Sequence, residues 1–162
     1  MKAETIEKIF NFLKENESKE IPESWSIVEK LETHPDGIQY KHNDNLVLIN
    51  RNITKLPNDL YVDGNLILDR CGELEVLPDE LFVLGYLSLY GCKQLTKLPD
   101  DLHLSQSLIM IGTSIEEIPD NLNIGWNLFI GNTPLANKYT DEEIYEMIKL
   151  RGGKIINDII RL

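Results

Sequence analysis

The chain has 162 residues, with 27 acidic against 16 basic side chains and a formal charge of −11. Apolar residues make up 42% and charged residues 27%, which is too apolar for a disordered chain, and the length suits a single core. The negative excess argues against a nucleic-acid backbone as a direct ligand and leaves a basic protein partner open.

The chain begins Met1-Lys2-Ala3-Glu4, with no apolar stretch or small-residue cleavage site after it, so no secretory signal is expected. No run of 18 apolar residues occurs, so no membrane span is expected either. Two cysteines in such a chain point to a reducing, cytoplasmic setting. Residues 3–15 place Ile6, Ile9, Phe10 and Leu13 at helical spacing. A second helix is expected from Glu23 to Leu31, with Trp25, Val28 and Leu31 on one side. Residues 1–34 therefore read as a helical N-terminal cap.

The middle of the chain repeats. Leu56-Pro57-Asn58-Asp59-Leu60 recurs as Leu77-Pro78-Asp79-Glu80-Leu81, as Leu98-Pro99-Asp100-Asp101-Leu102 and as Ile118-Pro119-Asp120-Asn121-Leu122. Pro57, Pro78, Pro99 and Pro119 thus mark a period of about 21 residues. A degenerate copy starts at Pro35-Asp36-Gly37-Ile38. After each proline the chain alternates. Leu60, Val62, Leu66 and Leu68 share one parity, as do Leu81, Val83, Leu87 and Leu89, then Leu102, Leu104, Leu108 and Met110, then Leu122, Ile124, Leu128 and Ile130. Period 2 means extended chain with one buried face. Gly64 and Gly85 fall at matching places, where a bend or close backbone approach is expected. Ile53, Leu74, Leu95 and Ile115 add an apolar anchor before each proline, and the proline turns the chain.

One such unit cannot bury its own apolar face, but stacked units can. Residues 35–139 are thus expected to form about five coils of ~21 residues with parallel strands, a rod of roughly 20–25 Å. Open sheet edges at its ends call for caps. Thr140-Asp141-Glu142-Glu143 is a capping box that starts a helix through Ile144, Met147, Ile148 and Leu150, and Gly152-Gly153 ends it. Lys154 to Leu162, rich in isoleucine, is expected to add a last strand. Residues 140–162 read as a helix-plus-strand C-terminal cap.

The pattern LP-x-x-L-x-V-x-G-x-L-x-L at Leu56–Leu68 and its copies resembles the leucine-rich-repeat superfamily. It is most similar to the short LP-containing repeats of bacterial effectors and of bacteriophage proteins. The resemblance implies an α/β solenoid that binds proteins. It covers about two-thirds of the chain. Leu66-Ile67-Leu68-Asp69-Arg70-Cys71 and Leu87-Ser88-Leu89-Tyr90-Gly91-Cys92 fit the second half of the superfamily's strand motif. Val62 and Val83 stand four residues before the first Leu, where the superfamily has three, so the local geometry of the inner face departs from it. Effector ligases with such repeats carry a large catalytic domain for which 162 residues leave no room, so ligase activity is not implied.

Catalytic or ligand-binding spacings are not evident. His34, His42 and His103 are scattered, and no zinc-type spacing, G-x-S-x-G or phosphate loop occurs, so no catalytic residue, metal or cofactor is expected. Cys71 and Cys92 sit at equivalent places in adjacent repeats, which suits either a disulfide between coils or a buried corner. Thr113 and Thr133 fill the same place later, which favours the corner.

Two features point to a partner. Asp79, Asp100 and Asp120 form one acidic column and Asp59, Glu80 and Asp101 the next, inside a repeat where 14 acidic residues face 7 basic ones. This ridge is either a docking strip for a basic partner or turn chemistry that also serves solubility. The outward parity holds Ile67, Phe82, Leu84, Tyr86, Tyr90, Ile109, Ile111 and Phe129, with Val47 and Ser88 in the same file as Ile67. A solvated sheet face should be polar there, so this face is either an interface or covered by a cap.

The expected function is a non-catalytic protein-interaction module. The resemblance makes it a phage or mobile-element protein that binds and inhibits a host protein, such as a defence enzyme. An acidic mimic of nucleic acid, acting on a nucleic-acid-binding protein, is one alternative. A self-assembling structural protein, monomer or homodimer through an open strand edge, is another.

Overall fold

A computed structural model describes residues 31–33, 39–41, 45–56, 60–79 and 81–162. The helices expected within residues 3–15 and 23–30 lie outside the described residues, as do His34, His42, Asp59 and Glu80. Leu31, placed at the end of the second helix by the sequence, instead opens strand β1 (Leu31–Thr33), which pairs antiparallel with β2 (Gln39–Lys41).

From Leu46 onward the chain winds as a β-solenoid. β3 (Leu46–Val47) opens the stack, and four coils follow with two short strands each. These are β4 (Tyr61–Val62) with β5 (Leu66–Ile67), β6 (Phe82–Val83) with β7 (Leu87–Ser88), β8 (His103–Leu104) with β9 (Leu108–Ile109), and β10 (Asn123–Ile124) with β11 (Leu128–Phe129). The degenerate copy at Pro35 thus adds β3 to the parallel stack, while β1 and β2 make their own antiparallel pair.

Equivalent strands pair in parallel and in register. Leu66 lies opposite Leu87, Leu87 opposite Leu108, and Leu108 opposite Leu128. The result is two sheets, one of five strands and one of six. The sequence suggested continuous alternation with a bend; the bend in fact splits each coil's extended run in two. At Gly85 a Cβ would run into the Asn65 side chain and the Gly64 backbone, so glycine permits the close approach of neighbouring coils.

The inward files form the core. Leu60, Val62, Leu66 and Leu68 and their counterparts are buried, together with the anchors Ile53, Leu74, Leu95 and Ile115. Leu108 is fully buried between stacked leucines, so Leu108→Ala would leave a cavity and cost about 2–5 kcal/mol.

Each coil turns through left-handed backbone. Asn50, Arg70, Gly91, Gly112 and Asn132 all have φ between 55° and 71°, and they occupy one corner in successive coils. Asp101, Asn121 and Gly152 have φ of 59°, 53° and 81° at the other corner. The return segments between the corners are irregular, and among the described residues helices enter only after Thr133.

Helix α1 (Pro134–Lys138) was not anticipated; Thr133 caps it by accepting the Ala136 N–H at 3.1 Å. Helix α2 (Asp141–Leu150) has the expected capping box between Thr140 and Glu143 and buries Ile144 and Ile148. The chain then adds two strands where one was expected. β12 (Lys154–Ile155) pairs with β10 and β13 (Ile159–Ile160) with β11. Arg161 holds β13 to the helices, donating to Asp141 at 2.6 Å, to the Tyr139 carbonyl at 2.6 Å and to the Ala136 carbonyl. Among the described residues no helix is long and apolar enough to cross a membrane.

Candidate functional site: the outward sheet face

Side chains of the outward parity stand in files that run along the stack, one residue per coil. The second sheet carries the file Val47, Ile67, Ser88, Ile109, Phe129 and Ile160, fixed by the strand register. Two residues further on in each coil lie Ile49, Asp69, Tyr90 and Ile111. The first sheet carries Tyr61, Phe82, His103, Asn123 and Lys154. Tyr61 and Phe82 stack with ring centroids 4.6 Å apart and planes within 3°. A hydrogen bond to Asp63 is the main reason the Tyr61 phenol titrates above its ordinary value.

Val47, Phe82, Leu84 and Tyr90 are exposed, at 37–43% of their full area. Ile67, Tyr86, Ile109, Ile111 and Phe129 are half-buried. All eight expected partner-binding residues therefore retain some surface on the outward parity of the two sheets. Several positions depart from simple parity, among them Ser107, of outward parity at the bend yet only 9% exposed. Ser88, in the outward file, is only 4% exposed, and its hydroxyl donates to Asp69. Trp126 has inward parity but falls in the bend and is 52% exposed.

A shallow depression of about 230 Å³ lies on the first sheet, where small Ser105 and Gly125 sit between exposed Leu84 and Ile156. His103, Asn123 and Lys154 border it, and no carboxylate lines it. Among the described residues no cluster of His, Cys, Asp and Glu is arranged to hold a metal ion.

The acidic columns are built into the coil stack. The Asp100 carboxylate accepts the backbone N–H of Asp120 at 2.8 Å, and Asp101 accepts from the Asn121 side chain at 2.8 Å. Asp120 in turn accepts from Arg151 at 3.0 Å. Asp101 stands in the left-handed corner, a conformation that Asp and Asn tolerate better than most residues. Asp79 is exposed. Three of the six expected ridge residues thus accept hydrogen bonds from a neighbouring coil or from the segment after α2, and the like-charge column is partly compensated.

A polar ladder that sequence reading missed borders the apolar files. Asn45 accepts the Asn65 N–H at 2.8 Å, and Asn65 accepts the Tyr86 N–H at 3.0 Å. Ser107 accepts the Asn127 N–H at 3.3 Å, and Asn127 accepts the Asp158 N–H at 3.2 Å. The signal in the sequence was the Asn-Leu pair at 45–46, 65–66 and 127–128, always just before the second strand.

Cys71 and Cys92 are buried and are not joined in a disulfide. Their Sγ atoms donate to the carbonyls of Leu48 and Leu68, at 2.8 and 3.1 Å. Thr113 and Thr133 fill the same buried corner and donate to Met110 and Ile130. The corner reading of the cysteines agrees with this arrangement.

No family model, curated protein or solved structure matches the chain.

Proposed function

We propose that the protein is a non-catalytic interaction module that binds another protein through the outward sheet face. One observation carries this reading: exposed Val47, Phe82, Leu84 and Tyr90 and half-buried Ile67, Ile109 and Phe129 all stand on the outward parity of the two sheets. An apolar, aromatic patch with few charges has the composition of an interface centre. The LP-x-x-L register further supports a leucine-rich-repeat-like coil, a class suited to presenting such a face. The narrower role suggested by that resemblance is a phage or mobile-element protein that inhibits a host defence protein.

The test is capture of a stoichiometric partner from a bacterial lysate by the wild-type chain and by a Tyr86→Ala, Phe129→Ala double variant. The double variant should bind at least about tenfold more weakly, roughly 1.4 kcal/mol, with an unchanged circular dichroism spectrum. Equal affinity in a folded double variant would remove the face from consideration.

A further inference from the structure

Resting on that reading of the face, we infer that its occupant is an amphipathic helix of a partner, apolar along one stripe and flanked by Lys or Arg. Three properties of the face lead there. First, both sheets are parallel, and parallel sheets are ordinarily covered by helices on each face. Here one face is buried in the solenoid, and along the other the described residues leave Val47 exposed and Ile67, Ile109, Phe129 and Ile160 half-exposed, with Ser88 covered between them. Six strands give five spacings of about 4.8 Å, or about 24 Å, the length of a helix of roughly 16 residues.

Second, the C-terminal sheet edge has one of its carbonyls, in the bend between β12 and β13, already taken. The Trp126 carbonyl accepts the Asn157 N–H of the following coil at 3.2 Å. The Asn157 carbonyl, its counterpart, instead accepts the Tyr145 hydroxyl at 2.7 Å, in place of the bond that a further coil would make there.

Third, the charges are complementary to a basic flank. On the outward parity of the strand pairs the charged side chains are Asp63, Asp69 and Asp158 against the single Lys154. Asp69 lies two residues from Ile67 and Asp158 two residues from Ile160, the second and the last members of the apolar file. A second copy of this chain is disfavoured as occupant, because two molecules of charge −11 repel.

The experiment is selection of a displayed library of random 18-residue peptides on the full-length chain. The expected consensus has apolar residues at i, i+3 or i+4 and i+7 with Lys or Arg beside them. A synthetic consensus peptide should become helical on binding. It should lose at least tenfold in affinity for Phe129→Ala, or for the exposed-site variant Tyr90→Ser should Phe129→Ala disturb the fold. An acidic or proline-rich consensus, no enrichment, or binding indifferent to both variants overturns the inference. So does a dimer in sedimentation that Phe129→Ala dissociates, which would assign the face to a second copy. Binding seen only after Ile6, Ile9, Phe10 and Leu13 are changed to Asp would assign it to the chain's own first segment, and also overturns it. If the double variant loses its cellular partner while the library yields no basic helix, the interface stands and the helical occupant alone is wrong.

Discussion

The carboxylate of Asp100 accepts the backbone N–H of Asp120 across one coil, at 2.8 Å. Two residues of one acidic column are thus joined by a structural bond. Asp100→Ala should destabilise the fold by about 1 kcal/mol, the usual worth of a hydrogen bond with water access. Asp100→Asn keeps an acceptor oxygen and should cost less than half of that. Urea midpoints of the two variants measure the difference. Equal losses in both would mean that charge, not the bond, matters at this position.

The left-handed corner makes a prediction of opposite sign at two of its members. Arg70 adopts φ of 60°, where a side chain other than Gly, Asn or Asp costs about 1–2 kcal/mol. Arg70→Gly should stabilise the protein by about 0.5–1 kcal/mol after the added unfolded-state entropy of glycine is subtracted. Gly112, at φ of 71°, should lose about 1 kcal/mol on change to Ala. Thermal melting should move upward for the first variant and downward for the second, by roughly 2–4 °C per kcal/mol.

The Cys92 thiol is pushed up to about 12, chiefly by burial and next by the neighbouring Cys71. Both thiols should resist a thiol-labelling reagent in the folded protein and react in urea. The pH dependence follows from the same shift. Below about pH 9 both folded and unfolded chains hold the proton, so this group contributes no slope. Between about 9 and 12 the unfolded chain releases a proton that the folded chain retains, so stability falls with rising pH. Cys92→Thr, which copies Thr113 of the next coil, should remove that part of the slope in urea titrations at pH 8 to 10.5.

Tyr145 ends the carbonyl column of the bend by its bond to Asn157. Tyr145→Phe keeps the ring and removes the hydroxyl, at a cost of about 0.5–1 kcal/mol. The loss should be local. Amide exchange should quicken in β12 and β13 and stay unchanged in β6 and β7, which are internal to the stack. Uniformly faster exchange would show that α2 and the last strands do not open separately.

The sequence by itself determined the period, the register and the inward files. A proline in every repeat with strict alternation after it leaves one way to bury Leu66, Leu87, Leu108 and Leu128, which is to stack them. It also named the face on which Tyr90 and Phe129 emerge, because period 2 assigns every residue to one of two sides. It did not determine how far each side chain emerges. Ser88 is covered and Trp126 is not, because coverage depends on the bend and on the neighbouring coil, a full repeat away in sequence. Nor did it separate ridge from scaffold. Asp79, Asp100 and Asp120 are alike as letters, yet only the coil spacing brings the Asp120 N–H to the Asp100 carboxylate and Arg151 to Asp120. The repeat placed the charges in columns, and contact between the coils decided which of them are already bonded.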